Sequence, residues 1–236
     1  MALAFRLVAA EGRFTGRAEG DLGSVGRGNG DGSPRSPAEE EALATRRRAV
    51  VDLPWTWLRQ VHGAQVVTVE RPGAAGGEAA DAAVTRTPDA VLAVLTADCA
   101  PVALASPEGV VAVAHAGWRG LVAGVLEKTV GAMRALGAGR VEAVLGPCIH
   151  AECYAFGPAD LDRVAARLGD GVRGRTAGGA PALDLPTAVA RALAAVDVPV
   201  DLASSACTAC TPGWFSHRAR GETERQALVL WLPAAA

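Results

Sequence analysis

The stretch VLAVLTADCAPVALASPEGVVAVAHAGWRG, residues 91–120, decides how this chain folds. It holds two Val- and Ala-rich runs, 101–106 and 109–114, around the sequence Ser106-Pro107-Glu108-Gly109. Apolar runs of strand length flanking a Pro/Gly turn read as a β-hairpin. Folding about Pro107 and Glu108 sets residue 100 opposite residue 115. Cys99 and His115 then meet at the open end of the hairpin, within one residue of register. A thiolate beside an imidazole is either part of a metal site or a nucleophile–base pair.

Working outward, the apolar run 90–96 feeds the hairpin, and Gly117-Trp118-Arg119-Gly120 leaves it. Residues 121–136 carry Val122, Val125, Leu126, Val130 and Met133 at helical spacing, closed by Gly137. Upstream, 3–8 reads as a strand and 17–32 as a Gly-rich irregular stretch. Residues 39–50 read as a helix, with acidic residues first and Arg46-Arg47-Arg48 last, which suits the helix dipole. A strand at 65–69 follows His62-Gly63, and 71–80 is a Gly/Ala loop. Downstream, 140–145 is a strand that ends in Gly146-Pro147-Cys148-Ile149-His150. Helices are expected at 158–168 and at 185–196, where Pro186 stands at the start, and strands at 200–203 and 227–232. Strands and helices alternate only in part, so the class is mixed α/β.

The 236 residues suffice for one large domain or two small ones. With 50% hydrophobic and 20% charged residues the chain is globular. A net charge of −2 without a basic block gives no footprint for nucleic acid. No apolar stretch reaches membrane-spanning length, and the N-terminus does not read as a signal peptide. Five cysteines, an odd count, point to reduced thiols in a cytoplasm, some of them used for metal binding or catalysis.

The four histidines are His62, His115, His150 and His217. His62, Cys99 and His115 supply the three ligands of a catalytic zinc and leave one position for water or substrate. A second group is the C-x-x-C of Cys207 and Cys210, which with Cys148 and Cys153 makes a four-thiolate structural site; a redox dithiol and plain buried thiols are the other readings. A third is Cys99 as nucleophile with His115 as base and Asp98 beside it. A fourth is anion recognition by Arg17, Arg59, Arg119 and Arg218, all in Gly- or aromatic-flanked loops.

The motifs RQVHG (59–63), LTADCAPV (95–102), VAVAHAGWRG (111–120), GPCI (146–149), CYAFG (153–157) and the CTAC and FSHR segments (207–218) occur together in this order. In them the chain resembles the YfiH/YlmD-like family, also called laccase-domain or polyphenol oxidase proteins. The likeness runs from about residue 55 to the end; residues 1–50 match more weakly, although Phe14-Thr15-Gly16-Arg17 fits the family's F-x-x-R. Where the family tends to have Gly-Arg near the C-terminus, this chain has Glu224-Arg225. The resemblance implies one domain over 1–236, an α/β sandwich related to a cysteine-hydrolase architecture.

It also implies zinc on His62, Cys99 and His115, with copper as a possible substitute. The implied activity is phosphorolysis of purine nucleosides: adenosine, inosine or methylthioadenosine plus phosphate gives the base and a ribose 1-phosphate. Adenosine deamination is implied at the same site. Asp98, Arg119 and Cys99 are then the expected catalytic residues, and Arg17, Arg59 and Gln60 the substrate-binding ones. The expected partners are nucleoside and phosphate, for a cytoplasmic monomer or weak homodimer. The alternatives are a metal-free Cys99–His115 thiol hydrolase or amidase related to the cell wall, and a metal-binding module without catalysis. A true multicopper laccase is excluded, because its coppers need on the order of ten imidazoles and this chain has four His.

Overall fold

In the computed structural model, which describes residues 2–23 and 36–234, the chain's strands are β1 (Leu3–Leu7), β2 (Ala10–Phe14), β3 (Trp55–Trp57), β4 (Val66–Thr68), β5 (Ala82–Thr85), β6 (Val91–Thr96), β7 (Ala100–Ala105), β8 (Val111–Ala116), β9 (Glu142–Leu145), β10 (Arg173–Arg175), β11 (Pro181–Leu183), β12 (Val200–Asp201) and β13 (Gln226–Trp231). The helices are α1 (Pro37–Val50), α2 (Trp118–Val122), α3 (Val125–Ala135), α4 (Pro158–Leu168), α5 (Leu185–Ala194) and α6 (His217–Arg220). A five-stranded sheet has the order β1-β2-β13-β6-β3, and a six-stranded sheet the order β12-β9-β7-β8-β5-β4. No described helix is long and apolar enough to cross a membrane.

Side-chain alternation decides how these sheets stack, because successive residues of a strand face opposite ways. On β6, Leu92 and Val94 join the core between the sheets, with Ala103, Val111, Val113, Leu228 and Leu230. Val91, Ala93 and Leu95 face the other way, onto Leu43 and Val50 of α1. On β8, Ala112, Ala114 and Ala116 face a third core built with Val125, Leu126 and Met133 of α3 and with α4 and α5. The result is a mixed α/β sandwich: α1, the five-stranded sheet, the six-stranded sheet, and the remaining long helices.

The hairpin is present, one residue off the expected register. Gly109 N donates to Ser106 O (3.1 Å) and Ser106 N to Val110 O (2.9 Å). Gly109 has φ +73°. This is a three-residue loop with glycine in the left-handed position, not a symmetric turn about 107 and 108. Pro101 therefore faces His115, and Ala100 faces Ala116. The offset matters. Cys99 has the parity of Pro101, so it falls on the same face as His115, the face that Val111 and Val113 turn toward the other sheet.

The helix expected over 121–136 is two helices. Gly124 adopts φ +82° after α2 and starts α3, a conformation that L side chains rarely take. The strands β2, β3, β5, β10 and β11 were not expected, and the strand at 200–203 shortens to β12. Residues 24–32 of the expected Gly-rich loop lie outside the described residues. The weakly matching N-terminal part is structurally integral: β2 pairs with β13, and α1 covers the five-stranded sheet.

Candidate metal centre and cavity

The site lies at the end of the sandwich where β6 crosses into β7. Cys99 stands one residue before β7, and His115 is on β8. His62 comes from the turn between β3 and β4, with φ +57°. The ligating atoms of His62, Cys99 and His115 all lie within 4.8 Å of one another. Cys99 Sγ is 3.9 Å from His62 Nε2, and the two imidazoles meet edge to face at 4.9 Å.

The residue that organises them is Asp81, immediately before β5 and fully buried. Its Oδ1 lies 2.8 Å from His115 Nδ1 and accepts from His62 N at 2.9 Å. Its Oδ2 accepts from Gly63 N (2.7 Å) and Val61 N (3.2 Å). Three successive amides thus wrap one carboxylate, which holds His62 in its left-handed conformation. An unpaired carboxylate at this depth would cost about 3–5 kcal/mol; four hydrogen bonds offset that cost. With Nδ1 engaged, His115 offers Nε2 to the site, the arrangement of carboxylate-backed metal ligands. The sequence reading missed Asp81. Its signal is a lone carboxylate heading the apolar run Ala82-Ala83-Val84.

Gly117 is the floor. A Cβ there would stand 3.0 Å from His62 Cδ2, 3.2 Å from Cys99 Sγ and 3.8 Å from His115 Cε1. Glycine here leaves room for the three side chains to converge, and any Cβ would press on His62 and Cys99. At Gly120 a Cβ would meet Gly63 O at 2.9 Å, so α2 is packed directly on the His62 turn.

Electrostatics follow from this packing. Burial pushes the Cys99 thiol up, but the adjacent His115 charge and hydrogen bonds from His115 and His62 outweigh it, bringing the thiol down to about 6. Burial pushes His115 down, yet the Cys99 charge and the Asp81 hydrogen bond raise it to about 9. Asp81 is also raised by burial, and the His115 and backbone hydrogen bonds more than reverse this, leaving it below the usual carboxylate range.

The three donors line a cavity of about 480 Å³, together with Arg59, Gln60, Asp98, Tyr154, Arg218 and others. Arg225 and His217 also reach it; of these lining residues Tyr154, His217 and Arg225 were not expected. Burial pushes the Tyr154 phenol up and keeps it neutral. The Arg218 guanidinium lies 4.8 Å from the centre of the Tyr154 ring and donates to Ala155 O (2.8 Å).

The other expected residues fall as follows. Gln60 lines the cavity, but its amide staples β6: Nε2 donates to Leu95 O (2.7 Å) and Oε1 accepts from Leu95 N (2.8 Å). Asp98, at φ +99°, accepts from Thr208 Oγ1 (2.7 Å) on one oxygen and from Arg218 N (2.6 Å) on the other. It therefore anchors the turn that presents Cys99. Arg119 is exposed, stacked on Trp118 at 4.3 Å, and is not among the lining residues. Arg17 lies over Phe215 (4.8 Å), pairs with Glu222, and also falls outside the lining.

The expected four-thiolate group is corrected. Glu152, Cys153, Cys207 and Cys210 bring their donor atoms within 4.8 Å of one another; Cys148 is not among them. Cys148 is buried beneath the helices, and its sulfur lies 3.7 Å from Ser205 Oγ.

Comparisons with known proteins place the chain in a family. The family model described as "Multi-copper polyphenol oxidoreductase laccase" matches residues 11–233. A protein of Streptomyces griseus named as a purine nucleoside phosphorylase is 38% identical over 226 residues, covering 93% of this chain and 92% of that one. One of Mycobacterium tuberculosis with the same activity in its name is 36% identical over 209 residues, covering 86% and 83%. Among solved structures, Neisseria meningitidis protein NMB0706 superposes with a TM-score of 0.79 at 27% identity, covering 99% of both chains. YlmD of Geobacillus stearothermophilus gives 0.75 at 26% identity, covering 96% and 93%.

Proposed function

We propose, from the premise that this chain belongs to the YfiH/YlmD family described as multi-copper polyphenol oxidoreductase laccase, that it is a zinc-dependent purine nucleoside phosphorylase. The observation that carries the reading is the convergence of His62, Cys99 and His115, backed by Asp81, in a cavity that also holds Arg59, Arg218 and Arg225. Two imidazoles and a thiolate suit zinc, and copper accepts the same donors. Zinc bound there supplies a Lewis acid with one open coordination position.

The volume, about 480 Å³, falls in the range of small-ligand sites. In phosphorolysis a phosphate oxygen attacks the ribose C1′, the C1′–N bond breaks, and the base leaves with a proton. Arg59, Arg218 and Arg225, which line the cavity, would hold the phosphate, since guanidinium groups match its oxygens two at a time. Asp81 fixes the His115 ring and His62 turn; Asp98 fixes the Cys99 turn. Gln60 keeps the β6 wall in place and offers its remaining amide proton to the nucleoside. Arg119, stacked on Trp118, and Arg17, paired with Glu222, stand outside the cavity lining and take no part in this reading. Adenosine deamination at the same centre is the second activity to assay. The family's oxidase description does not transfer: only two of the four His join the cluster.

The test is an assay of adenosine, inosine and methylthioadenosine with and without phosphate. Base release that requires phosphate and yields ribose 1-phosphate is the expected result. Release independent of phosphate contradicts it. One observation favours a second reading: a Cys99 thiol near 6 beside a His115 near 9 is a thiolate–imidazolium pair, as a cysteine hydrolase uses. Stoichiometric zinc that shields Cys99 from alkylation decides for the first.

A further inference from the structure

We propose that Glu152, Cys153, Cys207 and Cys210 form a second, structural zinc site that pins two loops at the wall of the cavity. Their four donor atoms lie within 4.8 Å of one another. Tetrahedral zinc, with Zn–S of about 2.3 Å and Zn–O of about 2.0–2.2 Å, sets its donors about 3.5–3.8 Å apart. Cys210 Sγ and Glu152 Oε1 already stand 3.7 Å apart. Side-chain rotation closes the rest.

The backbone beneath is fixed before any ion arrives. Cys207 and Cys210 share one turn, in which Thr211 N donates to Cys207 O at 3.0 Å. Cys148 and Cys207 form a parallel bridge, and Thr208 N donates to Cys148 O (3.0 Å). Cys153 ends the short 3-10 turn Ala151–Cys153, in which Cys153 N donates to His150 O (3.1 Å). Arg220, paired with Glu222, also clamps the C-x-x-C turn. It donates to Thr208 O (3.1 Å) and Ala209 O (2.9 Å), inside that turn.

All four tetrahedral positions are filled by protein donors, and none of the four residues lines the cavity. A closed donor set is the mark of a structural zinc, whereas three donors and an opening mark a catalytic one. What the site would hold is specific. Cys153 directly precedes Tyr154, and Cys207 directly precedes Thr208, whose hydroxyl bonds Asp98. Tyr154 in turn lies under Arg218 of α6. The ion would tie the Tyr154 loop to the loop that supports Asp98 and α6.

The test counts zinc in the full chain after loading with zinc alone and removal of excess. Two ions per chain are expected for wild type, one for Cys210→Ser, one for Cys99→Ala and none for the double variant. Should the catalytic centre hold no zinc, wild type holds one ion and Cys210→Ser none, so the two failures are distinguishable. Equal zinc in wild type and Cys210→Ser overturns the proposal. Glu152→Gln changes an exposed side chain and spares the fold; it is expected to release one zinc to a chelator faster than wild type. An unchanged release rate overturns the four-donor assignment.

Discussion

The two donor clusters are built from different material. His115 and Cys99 hang from the ends of paired central strands, and His62 from a turn clasped by a buried carboxylate. Glu152, Cys153, Cys207 and Cys210 hang from loops at the surface of the helical layer, and of the four only Cys207 is buried. The first cluster has three donors, a carboxylate behind one of them, and a cavity in front. The second has four donors, none of which lines that cavity. The contrast teaches that paired strands set three donors at the mouth of a cavity, while loops gather four donors away from it.

The largest separation between the two centres is expected in their response to pH. A metal binds thiolate and neutral imidazole, so it competes with protons. Above about 6 Cys99 is already a thiolate, whereas His115 keeps its proton up to about 9. Between these values the metal expels the His115 proton, and affinity at the first centre rises about tenfold per pH unit, then flattens. At the second centre the Cys210 thiol, pushed up to about 12 by its hydrogen bond with Cys207 and by burial, keeps affinity climbing past that point. Zinc titrations of Cys210→Ser and Cys99→Ala across this range, each variant isolating one centre, check the difference; parallel curves would erase it.

Next comes Asp81→Asn. Loss of a carboxylate behind a ligating His costs about 10–100-fold in metal affinity. The loss is expected at the first centre alone, read by chelator competition in the Cys210→Ser background. An equal loss at both centres would mean that Asp81 acts through general stability.

The smallest effects are steric. Gly117→Ala drives a methyl into His62 and Cys99 and is expected to weaken metal binding several-fold with little change in melting temperature. Gly131→Ala, at an exposed α3 position with nothing within 4 Å, is the control. It is expected to stabilise the fold by up to about 1 kcal/mol and leave metal affinity unchanged.

Much of the first centre was legible because local pattern carried it. Continuous Val- and Ala-rich runs and a Pro/Gly turn announced β7 and β8, and the Cys99–His115 pairing followed from their length. The register was off by one because a three-residue loop and a symmetric turn are separated only by whether Gly109 goes left-handed. Gly124 hid the break between α2 and α3 inside an otherwise helical spacing. Asp81 was missed because its partners, Val61 to Gly63 and His115, are distant in sequence and only β5–β8 pairing brings them together. The second cluster was half legible. Cys153, Cys207 and Cys210 do lie together, but burial and loop path, which sequence does not display, put Glu152 rather than Cys148 beside them.

The central claim is that the sheet-borne centre drives phosphate-dependent cleavage of purine nucleosides. It is tested most directly by following ribose 1-phosphate formation from inosine in phosphate buffer, for the zinc-loaded wild type and for Cys99→Ala. The account predicts steady product formation by wild type and background alone from Cys99→Ala. Undiminished product from a Cys99→Ala protein would contradict it.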